Sequence, residues 1–135
     1  MINSNEVRKA FLQRLYTVVE KSDISFQNIK FDPKGKALWV AESFISGPQG
    51  FSTSSGDYLE GIFQYTLNVP VTSRRGITVI NDKSIEIGNL FITAEVVTTT
   101  NYKTSIDATQ ESFRGRLDDK WYSIVVDINV KIYEV

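Results

Sequence analysis

The side chains that could carry out chemistry are few in this chain of 135 residues, because it contains neither histidine nor cysteine. Without histidine the chain lacks the usual general base near neutral pH and the commonest metal ligand. A Ser-His-Asp triad, a zinc site and a disulfide framework are therefore excluded. Carboxylates, tyrosines and lysines remain as the candidates for acid–base chemistry.

Acidic residues give the first candidates for a site. Asp118 and Asp119 are adjacent in "RLDDKW", a segment that predicts a hairpin turn. Two carboxylates could hold Mg²⁺ or Ca²⁺, but a calcium loop needs oxygen ligands spread along a defined segment, so we interpret the pair as turn residues. Asp127 interrupts an apolar strand, and we expect it on the solvent side of that strand or at a subunit contact. Glu60 and Glu95 receive the same interpretation.

Two arginines stand where a predicted strand gives way to a helix. The segment "TSRRG" contains Arg74 and Arg75, with Thr72 or Ser73 available to cap a helix over 74–90. A phosphate loop would need several glycines and then Lys followed by Ser or Thr, and this segment has one glycine and no lysine. The free N–H groups of the helix start could still attract an anion. Otherwise we expect the arginines to be solvated or to pair with a carboxylate of a neighbouring chain.

A second basic pair raises the possibility of nucleic-acid binding. Arg114 and Arg116 flank Gly115 and follow Phe113, and basic residues interleaved with an aromatic are typical of single-strand binding. Two aspartates follow at once, however, and the net charge of the whole chain is −1. The sequence therefore favours salt links or solubility over nucleic-acid binding. It predicts no enzyme activity, no catalytic residue, no cofactor and no metal site.

The composition is that of one globular domain over residues 1–135, with 41% apolar and 23% charged residues. No apolar run approaches the roughly 20 residues that a membrane span needs. The N-terminal segment lacks the apolar core of a signal peptide. We therefore expect a soluble, unprocessed protein that does not contact a membrane.

The first helix is predicted over residues 4–21. Asn3 offers a cap and Glu6 offers the second half of a capping box, and an apolar stripe runs along the helix. The stripe contains Val7, Phe11, Leu12, Leu15, Val18 and Val19. Such a stripe favours packing on a sheet over binding to a partner. A turn at Pro33 and Gly35 follows the helix.

Strands are predicted where apolar and polar residues alternate. Period two over 59–69 indicates a long strand with one buried face, and Pro70 should end its pairing. The segment 121–135 alternates more regularly still, which predicts a central strand or one that pairs over its whole length. Residues 89–104 are rich in β-formers, whereas 105–120 is predicted to be a polar connection whose first part could form the end of a strand.

A loop is predicted over 46–57, after a strand at 37–45. Its twelve residues include three glycines, four serines and one proline, a composition typical of a mobile or functional loop. Phe51 lies alone in its middle. This aromatic side chain either anchors a partner or folds back on its own domain.

Together these elements predict an α+β fold. A mostly antiparallel sheet of about four or five strands should carry both helices packed on one face. Composition and pattern alone indicate a small soluble α+β domain without an obvious active site.

Three segments carry a family resemblance in their linear order. An N-terminal helix, "NEVRKAFLQRL", precedes "NIKFDPKGKALWVAESF", and "YLEGIFQYTLNVP" follows the polar loop. This arrangement resembles the phage tail terminator proteins, with their Asn-x-x-Phe-x-Pro segment and their Arg-x-Gly-Ile-Phe-Gln-Val strand ending in proline. The sharpest matches are Gly61, Ile62, Phe63, Gln64 and Pro70. Where the family often has arginine before this motif, the chain has Leu59-Glu60.

The resemblance implies a structural virion protein of the phage tail, made in the host cytoplasm. It implies a homohexameric ring that caps the head-proximal end of the tail tube, stops tail polymerisation and provides the head-joining surface. The implied partners are further copies of the chain, the tail-tube protein and the head–tail connector protein, while DNA passes through the ring without specific binding. The residues that we expect at subunit or tail-tube interfaces are Phe51, Glu60, Arg74, Arg75, Arg114, Arg116, Asp118 and Asp119.

Two alternative functions stay open. One is a head-completion or neck protein of head–tail joining, because such small proteins also form rings, and binding to polymerised tail tube would discriminate between them. The other is a nucleic-acid-binding module, whose retention on DNA would fall steeply with salt.

Overall fold

The computed structural model describes residues 2–52, 56–117 and 120–135, and the described side chains exclude those of 48–57 and 114–119. The helices are α1 (Asn5–Leu15) and α2 (Gly76–Gly88), with a short 3₁₀ turn at Lys21–Asp23. The strands are β1 (Ile24–Ser25), β2 (Trp39–Ser52), β3 (Gly56–Pro70), β4 (Val96–Thr98), β5 (Tyr102–Leu117) and β6 (Trp121–Glu134).

The six strands form one mixed sheet in the order β1-β2-β3-β6-β5-β4. β1 runs parallel to β2, and the other neighbouring pairs are antiparallel. The predicted α+β fold with a mostly antiparallel sheet is confirmed in outline, but the sheet has six strands instead of four or five. β1 was not predicted because two residues show no period, and the β-rich segment 89–104 divides into β4 and the start of β5.

β3 and β6 lie side by side in the middle of the sheet, which confirms the central position predicted for the last strand. Their register runs from Tyr58 opposite Tyr133 to Pro70 opposite Trp121. On the helix-facing side of β3, Phe63 is completely buried. Pro70 is the last residue of β3, as expected for a residue that cannot donate a ladder hydrogen bond.

Most of the loop predicted over 46–57 belongs instead to a hairpin. β2 continues to Ser52, which lies opposite Gly56 at the start of β3, and the register shifts once between Ser46 and Gln49. The glycine- and serine-rich composition hid this strand, because its stability comes from pairing with β3 and not from local propensity. The prediction of a loop here is therefore wrong for the described part of the segment.

The polar connection predicted over 105–120 agrees with the structure only in its expected strand end, because β5 continues through the segment to Leu117. β5 pairs with β6 along its length, but the register shifts between Ile106 and Ala108 and again between Phe113 and Gly115. Each shift reverses which face the following side chains occupy. The alternation that would have revealed the strand is therefore broken twice.

α1 is shorter than the predicted helix over 4–21, and its predicted capping box does not form. Ser4 occupies the N-cap position without a side-chain bond to the helix. The Asn3 side chain accepts a hydrogen bond from the backbone N–H two residues further on, over 3.0 Å. Glu6 bonds instead to the connection between β4 and β5. A tertiary contact has thus replaced the local one.

α2 confirms the second predicted helix, although it begins at Gly76. Arg75 occupies the N-cap position and makes no side-chain cap bond. A turn closed by the Ser73 N–H and the Pro70 carbonyl, 3.0 Å apart, leads into the helix. A Cβ placed on Gly76 would lie 3.2 Å from Cγ2 of Val69. The start of α2 therefore approaches β3 closely.

Both helices pack on one face of the sheet, as predicted. Phe11 of α1 stacks on Phe63 of β3 with ring centres 4.3 Å apart, and on Phe91, just beyond α2, with ring centres 4.9 Å apart. The ring of Tyr65 lies 5.9 Å from that of Phe91. This aromatic cluster joins α1, the end of α2 and the central strand into one core.

Candidate functional site

The long strands give the sheet two well-separated ends. β3 has 15 residues, so at about 3.3 Å per residue it is roughly 45 Å long. At one end Ser52 lies opposite Gly56, and we call this the Gly56 end. At the other end Pro70 lies opposite Trp121, and we call this the Pro70 end. The predicted interface residues that the structure describes divide between these two ends.

The Pro70 end brings two predicted segments together. The N–H of Val71 donates to the carbonyl of Lys120 over 2.9 Å, which ties the chain before α2 to the connection between β5 and β6. Arg74 and Arg75 are exposed at this end and line a cleft of about 150 Å³ together with Tyr122. Among the described side chains, no carboxylate forms an ion pair with either arginine.

The other residues predicted at this end are described in part or not at all. Arg114 and Arg116 belong to β5, where the backbone of Arg116 lies opposite that of Tyr122, but their side chains are outside the described set. Asp118 and Asp119 lie outside the described residues. The predicted salt links therefore stay predictions, while the backbone places the arginine segments at the same end of the sheet.

The Gly56 end contains Glu60 and Phe51. Glu60 is half-buried on the sheet face away from the helices, opposite Lys131 of β6, and the two residues line a cavity of about 300 Å³. The Nζ of Lys131 lies 5.7 Å from the centre of the Tyr58 ring. Phe51 belongs to β2 with its backbone opposite Asp57, and its side chain is outside the described set, so both predicted roles stay open.

Cross-strand hydrogen bonds run along the sheet face away from the helices, which we call the outer face. Asp127 is half-buried there and accepts a bond from Nε2 of Gln64 over 2.9 Å. The buried hydroxyl of Ser123 donates to Oδ1 of Asn68 over 2.6 Å. The predicted choice for Asp127 between solvent and a subunit contact stays open, because the outer face is not covered by either helix.

A buried ion pair that sequence analysis missed fastens α1 to the sheet. Glu42 on β2 is almost completely buried, and both its carboxylate oxygens bond to the guanidinium of Arg8. The backbone N–H of Gln27 donates to the same carboxylate over 3.1 Å. The paired and hydrogen-bonded carboxylate explains how a charged residue is tolerated in the core. A glutamate within an apolar strand gives no sequence signal that separates this arrangement from an exposed one.

Two more carboxylates bond α1 to the chain on either side of β4, at the edge of the sheet. Glu95 was predicted to face solvent or a subunit, but it pairs with Arg14, and the hydrogen bond and charge of that guanidinium lower the pKa of the Glu95 carboxyl. Glu6 accepts hydrogen bonds from the Thr99 hydroxyl and from Asn101, and these bonds lower the pKa of the Glu6 carboxyl. All three carboxylates therefore act in positioning α1.

The described residues offer contact surfaces and no assembled metal site. Across residues 2–52, 56–117 and 120–135, no three acidic side chains come together in a way that could hold a metal ion. Neither helix in this part of the chain is long and apolar enough to cross a membrane. Burial, helped by the charge of Glu42, raises the pKa of the Tyr65 hydroxyl, so this tyrosine stays neutral in the core.

Comparison with known protein families shows the family to which the chain belongs. A family model described as phage tail terminator protein matches residues 6–129. The chain belongs to this family. The resemblance inferred from the sequence is thus confirmed, and the tail terminator is a structural protein of phage tail assembly and a component of the virion tail. The family is structural and not typically enzymatic.

Solved structures agree with the fold of this tail terminator. Fourteen chains match it, and one of them, whose name states no function, has a TM-score of 0.64 at 18% identity. That match covers 100% of this chain and 97% of the other. At such low identity the likeness shows the fold alone. No curated protein matches the sequence.

Proposed function

We propose that this tail terminator acts as a single domain that assembles into a homohexameric ring on the head-proximal end of the tail tube. The ring stops tail polymerisation and provides the surface that the head–tail connector binds. The observation that carries the proposal is the family match over residues 6–129, which spans nearly the whole chain. A closed ring needs one heterologous interface repeated around an axis.

The length of the sheet supports a cap that binds a different partner at each end. A terminator has to meet the tube on one side and the connector on the other. The Gly56 end and the Pro70 end are separated by roughly 45 Å along β3, at about 3.3 Å per residue. Each end has its own set of predicted contact residues. The tube and the connector can therefore contact different segments of the same sheet.

The exposed arginines at the Pro70 end are the strongest charged candidates for subunit contacts. Arg74 and Arg75 have no described carboxylate partner within their own chain. We therefore propose that these arginines pair with a carboxylate of a neighbouring copy, which is Glu60, Asp118 or Asp119.

Electrostatics fits a ring through which DNA passes. The net charge of −1 gives the chain no global attraction for a polyanion. We accordingly propose that DNA crosses the ring without specific binding. This separates the proposal from a nucleic-acid-binding module, which should be retained on DNA at low salt.

Tube elongation tests the proposed function. Purified tail-tube protein is polymerised with and without the terminator, and tube lengths are measured by electron microscopy. We expect the terminator to stop elongation and to remain bound to tube ends. Unchanged tube lengths together with no binding to polymerised tube would refute the proposal. A head-completion or neck protein would leave elongation unchanged and bind the connector, and a nucleic-acid module would instead show salt-sensitive retention on DNA.

Charge removal at the Pro70 end tests the arginine contacts separately. The double variant Arg74→Ala, Arg75→Ala should weaken ring formation on tube ends, whereas the matched control Lys34→Ala, Lys103→Ala removes two other exposed cations and should not. An unchanged assembly of the arginine variant would refute these contacts while leaving the capping function untouched.

A further inference from the structure

One flank of α2 exposes large apolar side chains. Ser84 bonds to Glu111 of β5 over 3.3 Å, so this side of the helix faces β5. At 100° per residue, Ile77 and Ile85 project on the same side. Ile77 is 48% exposed and Ile85 is 54% exposed, and Phe113 on the helix-facing side of β5 is 58% exposed. We call these three residues the α2–β5 flank.

The flank borders a strand edge that lacks a partner in the described part of the chain. β4 pairs with β5 only between Lys103 and Ser105. Two further backbone bonds reach Ile106, and beyond it no described strand lies along that edge. Exposed apolar side chains beside an open strand edge are features of an interaction surface.

A groove lies on the opposite edge of the sheet. It has a volume of about 370 Å³ and lies between α1 and the chain that follows β1. Leu12 and Phe26 form its apolar floor and Ile29, 64% exposed, forms its rim. We call this the β1-edge groove.

The charges beside Ile85 on the flank and the charges around the groove are of opposite sign, whereas Ile77 at the other end of the flank shares its cleft with Arg74 and Arg75. Asp82 of α2 and Glu111 of β5 are exposed beside the α2–β5 flank. Lys9 lines the β1-edge groove, and the exposed Lys30 follows its rim residue in the chain. Opposite charges around two apolar patches fix register and disfavour contact of either patch with itself. The surface chemistry therefore selects a second copy of this chain as the occupant.

We propose that the α2–β5 flank of one copy docks into the β1-edge groove of the next copy. Because the two surfaces lie on opposite edges of one sheet, each copy uses both, and the contact is heterologous. This inference rests on the proposed ring and names the apolar interface that builds it.

Cross-linking tests the contact, and the chain suits it because it has no cysteine of its own. Ile85→Cys places a thiol on the flank and Ile29→Cys places one on the groove rim, in two separate chains, one of them isotopically labelled. The chains are mixed and treated with a short bis-maleimide, both free and in the presence of polymerised tail tube. The matched control is Val79→Cys, which introduces a thiol on the other flank of α2 at a residue of similar exposure, 43%.

We expect a heterodimer of two 15.3 kDa chains, about 31 kDa, in several-fold greater yield than from Val79→Cys mixed with Ile29→Cys. A single chain that carries both Ile85→Cys and Ile29→Cys should instead give a ladder of products up to six chains. Equal yields for test and control would overturn the proposal, as would a dominant Ile85→Cys homodimer or no cross-link under either condition. If no cross-link forms but the terminator still blocks tube elongation, the proposed interface is refuted and the capping function is not. If the ladder forms but tube length does not change, the capping function is refuted and the interface is not.

Discussion

Gly61 lies where the chain has no room for a side chain, and replacing it by alanine should destabilise the protein. Its backbone needs no left-handed conformation, since Gly35 is the glycine with positive φ among the described residues. The constraint is the ring of Phe44 on the neighbouring strand. A Cβ on Gly61 would contact Cε2 of that ring and lie 2.5 Å from its Cζ. Carbon atoms prefer to be roughly 3.5–4.0 Å apart, so the ring has to move by more than 1 Å.

The cost follows from what the Phe44 ring does. It packs on Phe63 with ring centres 4.6 Å apart, and it is half-buried. Displacing it forfeits an aromatic pair of about 0.5–1.5 kcal/mol and part of a burial worth about 1.5–3 kcal/mol. The lower backbone entropy of alanine in the unfolded chain offsets about 0.5–1 kcal/mol of this loss. We expect Gly61→Ala to lower the free energy of unfolding by about 1–2 kcal/mol and the Tm by about 4–7 °C.

Chemical denaturation of the purified variants measures this effect, and the chain offers a matched control. Gly88→Ala adds the same methyl group where its nearest neighbour is Glu111 at 3.6 Å, an ordinary contact, so it should stabilise the protein by about 0.5–1 kcal/mol. In a Phe44→Leu background the cost of Gly61→Ala should shrink, because the ring is gone. The reasoning is refuted if Gly61→Ala is as stable as the parent, or if its cost is the same with and without the ring.

Further predictions concern the buried polar groups around α1. Arg8→Ala should lower the free energy of unfolding by about 3–5 kcal/mol, because it leaves the Glu42 carboxylate buried without its counter-charge, and a loss below about 1 kcal/mol in urea unfolding would contradict this. Glu6 and Glu95 have lowered pKa values, so the stability they contribute is present above the usual value of 4.5 and is lost as the pH falls below it. Glu6→Gln and Glu95→Gln should therefore each flatten the acid limb of stability against pH, and an unchanged limb would argue against these bonds. Tyr65→Phe removes a buried hydroxyl that has no hydrogen-bond partner among the described atoms, so its Tm should be equal to or higher than that of the parent.

The sequence predicts those elements whose side chains keep one period along their length. β3, β6 and the body of α2 were found in this way, because one face of each is buried against a regular neighbour. The body of β5 was missed although the strand has 16 residues, because its two register shifts break the alternation. The end of β2 was missed because glycine, serine and proline there are poor strand formers, and only the pairing with β3 makes the strand.

The candidate interfaces show the same division between local and tertiary information. The exposure of Arg74 and Arg75 follows from their place at a helix start, and the sequence predicted it. The Arg8–Glu42 pair depends on residues 34 positions apart, and no local pattern reveals it. Gly61 lies between these cases: the "GIFQ" motif singled it out, but the neighbouring-strand ring that requires a glycine is visible only in the structure.

Imaging of tail tubes that carry the terminator tests the capping account most directly. Tubes assembled with an excess of the chain are examined by cryo-electron microscopy, and the density at each tube end is classified by symmetry and mass. The account predicts one ring of six 15.3 kDa chains, about 92 kDa, at a single end of each tube. The account would be contradicted by terminator density along the tube wall, at both ends alike or at neither end. A ring with a number of chains other than six would also contradict it.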